Sequence, residues 1–173
     1  KDESTLVSSD TVYNVLGDTD LYAKFTIEQH TINILYVYTE DGSEAVSPVL
    51  DTLDYGTDYS YTTPHITGYS VDKEVVEGTV GNANELVYVH YDLIVHSMDE
   101  LKAAIADAKA LNEDNYTGST WADLIEAVEN GEDVVEKGEA ATVKEISIAT
   151  EAILEAIEDL IDRTELKDAI DEA

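Results

Sequence analysis

The stretch DLIVHSMDE, residues 92–100, marks a sharp change in the composition of the chain. Ten of the eleven tyrosines precede it, whereas three alanines precede it and fourteen follow it. Tyrosine favours β-strands and alanine favours helices. The sequence therefore predicts a β-rich unit followed by a helical unit, with the boundary near Ser97 and Met98. The stretch lacks the Gly, Ser and Pro composition of a flexible linker, so we expect little freedom between the units.

Two segments of the first half are predicted to be central β-strands. INILYVYT (32–39) and ELVYVHYDLI (85–94) are rich in β-branched and aromatic residues, and apolar side chains fall on both faces of each. Short Gly-containing segments between them predict turns. Two further strands are predicted upstream, in TVYNVL (11–16) and DLYAKFTI (20–27).

The second half predicts three helices, the first over about 98–111. The apolar residues of each recur at helical spacing, and the short connections favour an antiparallel three-helix bundle. The remaining boundaries are predicted from an N-cap of helix two at Ser119 or Thr120, from Gly131 and Gly138, which should end or weaken that helix, and from an N-cap of helix three at Thr142.

The charge of the chain excludes several classes of partner. Its 173 residues include 39 acidic and 9 basic ones, a net charge of −30. Phosphate contacts require clustered Lys and Arg, so we expect neither nucleic-acid binding nor docking on an anionic membrane surface. No segment approaches the roughly 20 apolar residues of a membrane span, so no membrane insertion of this segment is expected. Cysteine is absent, which excludes disulfides and thiolate metal sites.

Catalytic and cofactor motifs are missing from the sequence. There is no HExxH, GxSxG, Walker-type loop or GxGxxG, so we predict no catalytic residues, no cofactor and no enzyme activity. Carboxylate clusters at 18–20, 40–44 and 51–58 could gather oxygen ligands for calcium. None of them has the spacing of an EF-hand loop, and no metal site is predicted.

Four tyrosines in the turn-rich stretch form a candidate glycan-contact set: Tyr55, Tyr59, Tyr61 and Tyr69. Aromatic rings can stack on sugars, while nearby Asp side chains could accept hydrogen bonds from sugar hydroxyls. The alternative is that tyrosines at alternate positions divide between the core and the surface of a small sheet.

The first half resembles a mucin-binding protein (MucBP) repeat over about 31–92. The resemblance is carried by an ordered pattern: Asp41-Gly42, Gly56, Tyr59, Gly68-Tyr69, Gly78 and Val87–Tyr91. Members of that family are β-grasp-like modules of Gram-positive surface proteins, which implies such a module at 31–97. Residues 18–25 are similar to the end of a Listeria–Bacteroides surface repeat. Residues 1–30 would then be the end of a preceding β repeat, or extra strands packed on the next module.

The second half is similar to a FIVAR (found in various architectures) module over 98–163. The main carriers are YTGSTW (116–121) and AAT (140–142), with Leu101, Leu124 and Ala149 among the matching apolar positions. Such modules recur in tandem in secreted and wall-attached bacterial proteins. Residues 164–173 repeat residues 99–108 with six identities in ten. We therefore predict that 164–173 begin the next FIVAR repeat and continue helix three without a break from about Val143.

The predicted fold is α+β by separate domains, elongated, with a β-grasp-like module followed by an antiparallel three-helix bundle. The resemblances imply a non-catalytic segment of an extracellular bacterial protein, cell wall-attached or secreted. It would act as a stalk or spacer, with adhesion to host mucin, other host glycans or another surface glycoprotein as its candidate binding activity. The alternative is an accessory region of a secreted multimodular glycoside hydrolase or peptidase. We expect a monomer whose other partners are neighbouring modules of the same chain.

Overall fold

The computed structural model describes residues 25–161, and it contains a β unit followed by a helical unit. The predicted α+β arrangement by separate units is confirmed. None of the helices in the described part of the chain has the length and apolarity that crossing a bilayer requires. The strands are β1 (Gln29–Tyr38), β2 (Glu44–Asp54), β3 (Asp58–Thr62), β4 (Tyr69–Val71), β5 (Val75–Thr79) and β6 (Glu85–Leu93). The helices are α1 (Met98–Lys109), α2 (Gly118–Lys137) and α3 (Val143–Glu158).

Four strands form a mixed sheet in the order β2-β1-β6-β4. The central pair, β1 and β6, is parallel, and each of these strands has an antiparallel neighbour on its other side. β3 and β5 form a separate antiparallel pair. The two segments predicted to be central strands therefore occupy the centre of the sheet, in the β-grasp-like order that the MucBP resemblance implied.

The core of the β unit lies under this central pair. Ile32, Ile34 and Tyr36 alternate along β1 and are buried, as are Val89 and Tyr91 of β6. The residues between them on β1 are only partly buried, because they face away from the core. Burial of each large apolar side chain contributes about 1.5–3 kcal/mol relative to leaving it in water.

Capping boxes define the starts of two helices. Ser97 caps α1 together with Glu100, and Thr142 caps α3 together with Glu145, as predicted for Thr142. The start of α2 differs from the prediction, because its N-cap is Thr117 and not Ser119 or Thr120. The side chain of Thr117 makes no capping hydrogen bond, and this weak signal explains the error.

Helix two does not end at Gly131, which was one of the two effects expected of this glycine. Gly131 is buried within α2, and a Cβ there would lie 2.8 Å from Cδ1 of Ile153 and 3.4 Å from methyl groups of Ile105 and Leu101. The glycine therefore lets all three helices approach closely, and this packing outweighs its low helix propensity. The helix ends at Lys137, before Gly138 with φ of +55°, as predicted.

The prediction that helix three continues without a break is wrong over residues 159–161. α3 ends at Glu158, and the chain then turns toward the start of α2, where Thr117 N donates to Ile161 O at 3.0 Å. Residues 162–173 and the strand predicted at 11–16 lie outside the described residues. Residues 25–27, predicted as the end of a strand, are not in one, and β1 begins at Gln29, two residues before the predicted module boundary.

Candidate functional site

The four predicted glycan-contact tyrosines differ in exposure, although the rings of Tyr59 and Tyr61 lie 6.0 Å apart. Tyr59 is 8% exposed and Tyr69 is 6% exposed, so both rings belong to the core and neither presents a face to a sugar. Tyr55, in the turn between β2 and β3, is 58% exposed, and Tyr61 is partly buried. Burial therefore removes Tyr59 and Tyr69 from the candidate set, while contact through Tyr55 and Tyr61 stays a prediction.

The phenol groups of Tyr59 and Tyr61 bind carboxylates of the β unit itself. Tyr59 donates to Glu85 at 2.8 Å, and Tyr61 donates to Asp51 at 2.7 Å. Burial, followed by the bond to Glu85, raises the pKa of Tyr59 to about 12. The bond to Asp51 is the main cause that raises the pKa of Tyr61 to about 12. These hydroxyl bonds connect neighbouring strands, so a sugar at Tyr61 would meet its ring and not a free hydroxyl group.

The carboxylate clusters do not assemble into a metal site. Among residues 25–161, no group of three or more His, Asp or Glu side chains is arranged to hold a metal ion. The cluster at 18–20 lies outside those residues.

The junction between the two units is the best-defined site on the molecule. It begins with a connection of four residues between β6 and α1 that is bonded along its length. Ile94 N donates to Gly68 O at 2.9 Å, and His96 N donates to the Ser147 hydroxyl at 2.9 Å. The His96 ring also contacts the Glu151 carboxylate through Nε2, and Ser97 is already the cap of α1.

Helix α3 packs against the β unit at Gly68. This glycine has φ of +84°, and a Cβ there would lie 3.0 Å from Cγ1 and 3.2 Å from Cα of Ile148. The Ile148 side chain also packs against the core of the β unit. The backbone of the turn therefore lies directly against the backbone of the helix, and only glycine leaves room for this approach.

Lys144 of α3 lies at one end of this contact, and its ammonium group faces two aromatic rings of the β unit. Its Nζ lies 4.9 Å from the ring centroid of Tyr38 and 5.3 Å from that of Tyr69. An ammonium group at such distances is attracted by the aromatic faces. The Tyr69 hydroxyl, followed by the charge of Glu40, raises the pKa of Lys144, so the contact favours its charged form.

A polar contact closes the other end of the junction. Thr67 donates from its hydroxyl to Glu155 at 2.7 Å, and His65 Nε2 lies 3.2 Å from the same carboxylate. Exposed ion pairs contribute little to stability, typically about 0–1 kcal/mol. The orientation of the units is therefore determined mainly by the close packing at Gly68, with the polar groups fixing rotation about it.

The sequence contained a signal for this interface that the prediction missed. Besides Ser147, four residues on α3 contact the β unit or its connection to α1, and they recur at i, i+4, i+7 and i+11: Lys144, Ile148, Glu151 and Glu155. This is helical spacing, on a face different from the core stripe of Ile146, Ala149 and Ile153. Because three of the four residues are charged, the stripe resembles an ordinary solvated face.

A family model matches the helical part of the chain. The family model of the FIVAR domain matches residues 97–160. No curated protein matches the sequence.

Similar solved structures include two mucin-binding domains and one larger fragment. The mucin-binding domain of Spr1345 from Streptococcus pneumoniae is 15% identical, with a TM-score of 0.34, and the match covers 40% of this chain and 93% of that one. The MucBP domain of an adhesion protein from Pediococcus pentosaceus is 18% identical, with a TM-score of 0.30, and the match covers 38% of this chain and 98% of that one. The CBM51-2 (in complex with GlcNAc) and INT domains of Clostridium perfringens ZmpB are 16% identical, with a TM-score of 0.36, and the match covers 81% of this chain and 43% of that one. The chain thus matches the FIVAR domain model over residues 97–160, which span the three helices.

Proposed function

We propose that this chain is a non-catalytic segment of an extracellular bacterial surface protein, wall-attached or secreted, that acts as a spacer of fixed geometry. The observation that carries the proposal is the junction, in which α3 packs on Gly68 while the connection after β6 is hydrogen-bonded along its length. A flexible linker would leave these groups to water. A spacer function requires instead that each unit determines the direction of the next.

The charge of the chain supports the same function. Both halves are acidic, so neighbouring copies repel one another and the segment is expected to stay monomeric and soluble. At the junction the charge of Lys144 faces that of Glu40, and the His65 ring lies 3.2 Å from the Glu155 carboxylate. A pair of opposite charges is thus placed where the two units meet.

The distance between the two units provides a direct test. The chain contains no cysteine, so Leu50→Cys on β2 and Glu126→Cys on α2 introduce the only thiols for spin labels. Both side chains are exposed. Dipolar electron-spin spectroscopy should give one narrow distance distribution. A broad distribution, of the kind a flexible linker gives, would contradict the spacer proposal.

Adhesion to a mucin-type glycoprotein is a second candidate function, favoured by the exposed ring of Tyr55 and by the ring of Tyr61, which is only partly buried. Immobilised mucin should retain the chain, and Tyr55→Ala should reduce the retention. Leu50→Ala, which removes an exposed apolar side chain of β2, is the matched control and should not. Equal loss in both variants would indicate nonspecific apolar binding, and no retention of the unsubstituted chain would argue against adhesion.

The alternative parent is a secreted glycoside hydrolase or peptidase that carries this segment as an accessory region. The spacer geometry serves either parent, since it fixes the position of whichever module follows. The neighbouring modules of the full-length protein distinguish the two: a catalytic module indicates the enzyme, and a wall-sorting signal with further repeats indicates the surface protein.

A further inference from the structure

Within residues 25–161, the first and last strands of the β unit are direct neighbours and run parallel. β1 and β6 pair at seven consecutive positions, from Ile32 opposite Glu85 to Tyr38 opposite Tyr91. In a parallel pair the hydrogen bonds are evenly spaced along the strands. The chain enters this pair at Gln29 and leaves it at Leu93, and these points lie at opposite ends of the pair.

This geometry determines how the β unit responds to tension along the chain. A pull on the two chain ends draws β1 and β6 in opposite directions along their own axes. All hydrogen bonds of the pair are then loaded together, in shear. If the strands were instead pulled apart from one shared end, the bonds would be loaded and broken one after another, which requires much less force.

The pair is extended at both ends by further hydrogen bonds. At the entry end, Thr31 N donates to the side-chain oxygen of Asn84 at 2.8 Å. At the exit end, Thr39 N donates to Tyr91 O at 3.0 Å.

The pair is also protected from water on its core face. The side chains of Ile32, Ile34 and Val89 beneath it have no exposed surface. Water on that face cannot replace a stretched hydrogen bond before it breaks, and bonds in such surroundings are electrostatically stronger than in water.

The helical unit is attached at the exit end of the pair. Tyr38, the last residue of β1, lies under Lys144, and Tyr69, which pairs with Leu93, is the second ring in that contact. Ile94 is bonded to Gly68 in the same region. Load from the helices reaches the exit end whether it passes through the connection or through the docked helix α3, so the shear geometry is maintained in both cases.

We propose that the β1–β6 pair is a shear clamp that lets this segment carry tensile load. Its biological role rests on the proposed spacer function, since a spacer between a surface and a bound partner is put under tension. The hydrogen bonds of the clamp lie within the β unit, so they can be tested without assuming the spacer function.

Single-molecule pulling through introduced cysteines tests the clamp on the full chain. In the shear variant, Phe25→Cys and Val95→Cys place the handles at opposite ends of the pair. In the unzipping variant, Phe25→Cys and Asn82→Cys place them at the same end. Phe25 and Val95 are 89% and 69% exposed and Asn82 is also exposed, so the substitutions remove no core side chain. Both variants contain the same number of new thiols.

The shear variant should unfold at a several-fold higher force than the unzipping variant. The 70 residues between the handles reach about 230–250 Å when fully extended, and the extension step should equal this length minus the handle separation in the folded unit. Equal unfolding forces in the two geometries would overturn the clamp. This outcome is distinguishable from failure of the spacer proposal, which would show as a broad distance distribution between the units.

A second measurement uses the chain without cysteines, pulled through its ends. The helical unit should extend first and the β unit last, because helices are not held by a sheared strand pair. Extension of the β unit at the lower force would also overturn the proposal.

Discussion

Replacement of Gly68 by alanine is the most informative perturbation of the junction. Two costs arise from the added methyl group. The first is backbone strain, because φ is +84°, where a side chain costs about 1–2 kcal/mol. The second is steric, because the methyl carbon would lie 3.2 Å from Cα of Ile148, a backbone atom that cannot move unless α3 moves with it. Overpacking of this kind typically costs about 1–3 kcal/mol.

The chain offers a matched control that separates these costs. Gly56 has φ of +81°, and a Cβ there would meet no atom within 4 Å. Gly56→Ala therefore has the backbone strain but no steric contact. The difference between the unfolding free energies of the two variants then gives the cost of the contact at the junction. This difference has an upper limit. If the contact costs more than docking contributes, the units separate and the loss equals the docking free energy.

Two assays report the outcome. Denaturant unfolding should give Gly68→Ala a loss of stability in the β unit that exceeds that of Gly56→Ala by about 1–3 kcal/mol. The distance distribution between spin labels at positions 50 and 126 should broaden in Gly68→Ala and stay narrow in Gly56→Ala. The reasoning is refuted if the two variants lose the same stability and both keep the narrow distribution, because Gly68 would then contribute nothing at the junction beyond its φ.

Three further outcomes are expected. In Gly131→Ala the new Cβ would lie 2.8 Å from a side-chain methyl of α3. This overpacking should cost the helical unit about 1–3 kcal/mol of stability in denaturant unfolding, and the better helix propensity of alanine should offset about 1 kcal/mol of the loss. Gly118→Ala, with nothing within 4 Å, should show no such loss. Tyr61 should ionise near pH 12, as measured by the absorbance of the phenolate. Because its folded pKa is raised, its contribution to stability is complete below about pH 10 and is lost as the pH rises toward 12. Tyr61→Phe should remove one late-titrating group from the absorbance curve. The hydrogen bond from Lys137 is the main cause that lowers the pKa of Glu145 to about 2. The ionised Glu145 therefore stabilises the fold above pH 4.5, and this contribution is lost as the pH falls toward 2. Unfolding measured against pH should be flatter in that window for Glu145→Gln, and an unchanged profile would contradict the assignment.

The sequence predicted the local elements well because their signals are local. The alternation of Ile32, Ile34 and Tyr36 is contained within one strand, and the cap at Thr142 requires only Glu145 three residues later. The FIVAR and MucBP resemblances added the order of the two modules.

Features that depend on contacts between distant residues were missed. Gly131 has a poor helix propensity, and only the helices packed around it explain why α2 continues through it. The end of α3 at Glu158 is similar, because the turn that follows is bonded to Thr117 of another helix. Tyr59 and Tyr69 stood in the candidate glycan-contact set beside the alternative of a core position, because sequence alone does not distinguish a buried phenol from an exposed one.

The junction and the proposed clamp are coupled because they share residues. Tyr38 pairs with Tyr91 at the exit end of the β1–β6 pair, and its ring also lies under Lys144 of α3. Separation of the helical unit would expose this end of the pair to water and leave the connection at Ile94 as the only path for load. A change at Gly68 that releases α3 should therefore also lower the force at which the β unit yields. A spacer built in this way is stiff and strong for the same structural reason.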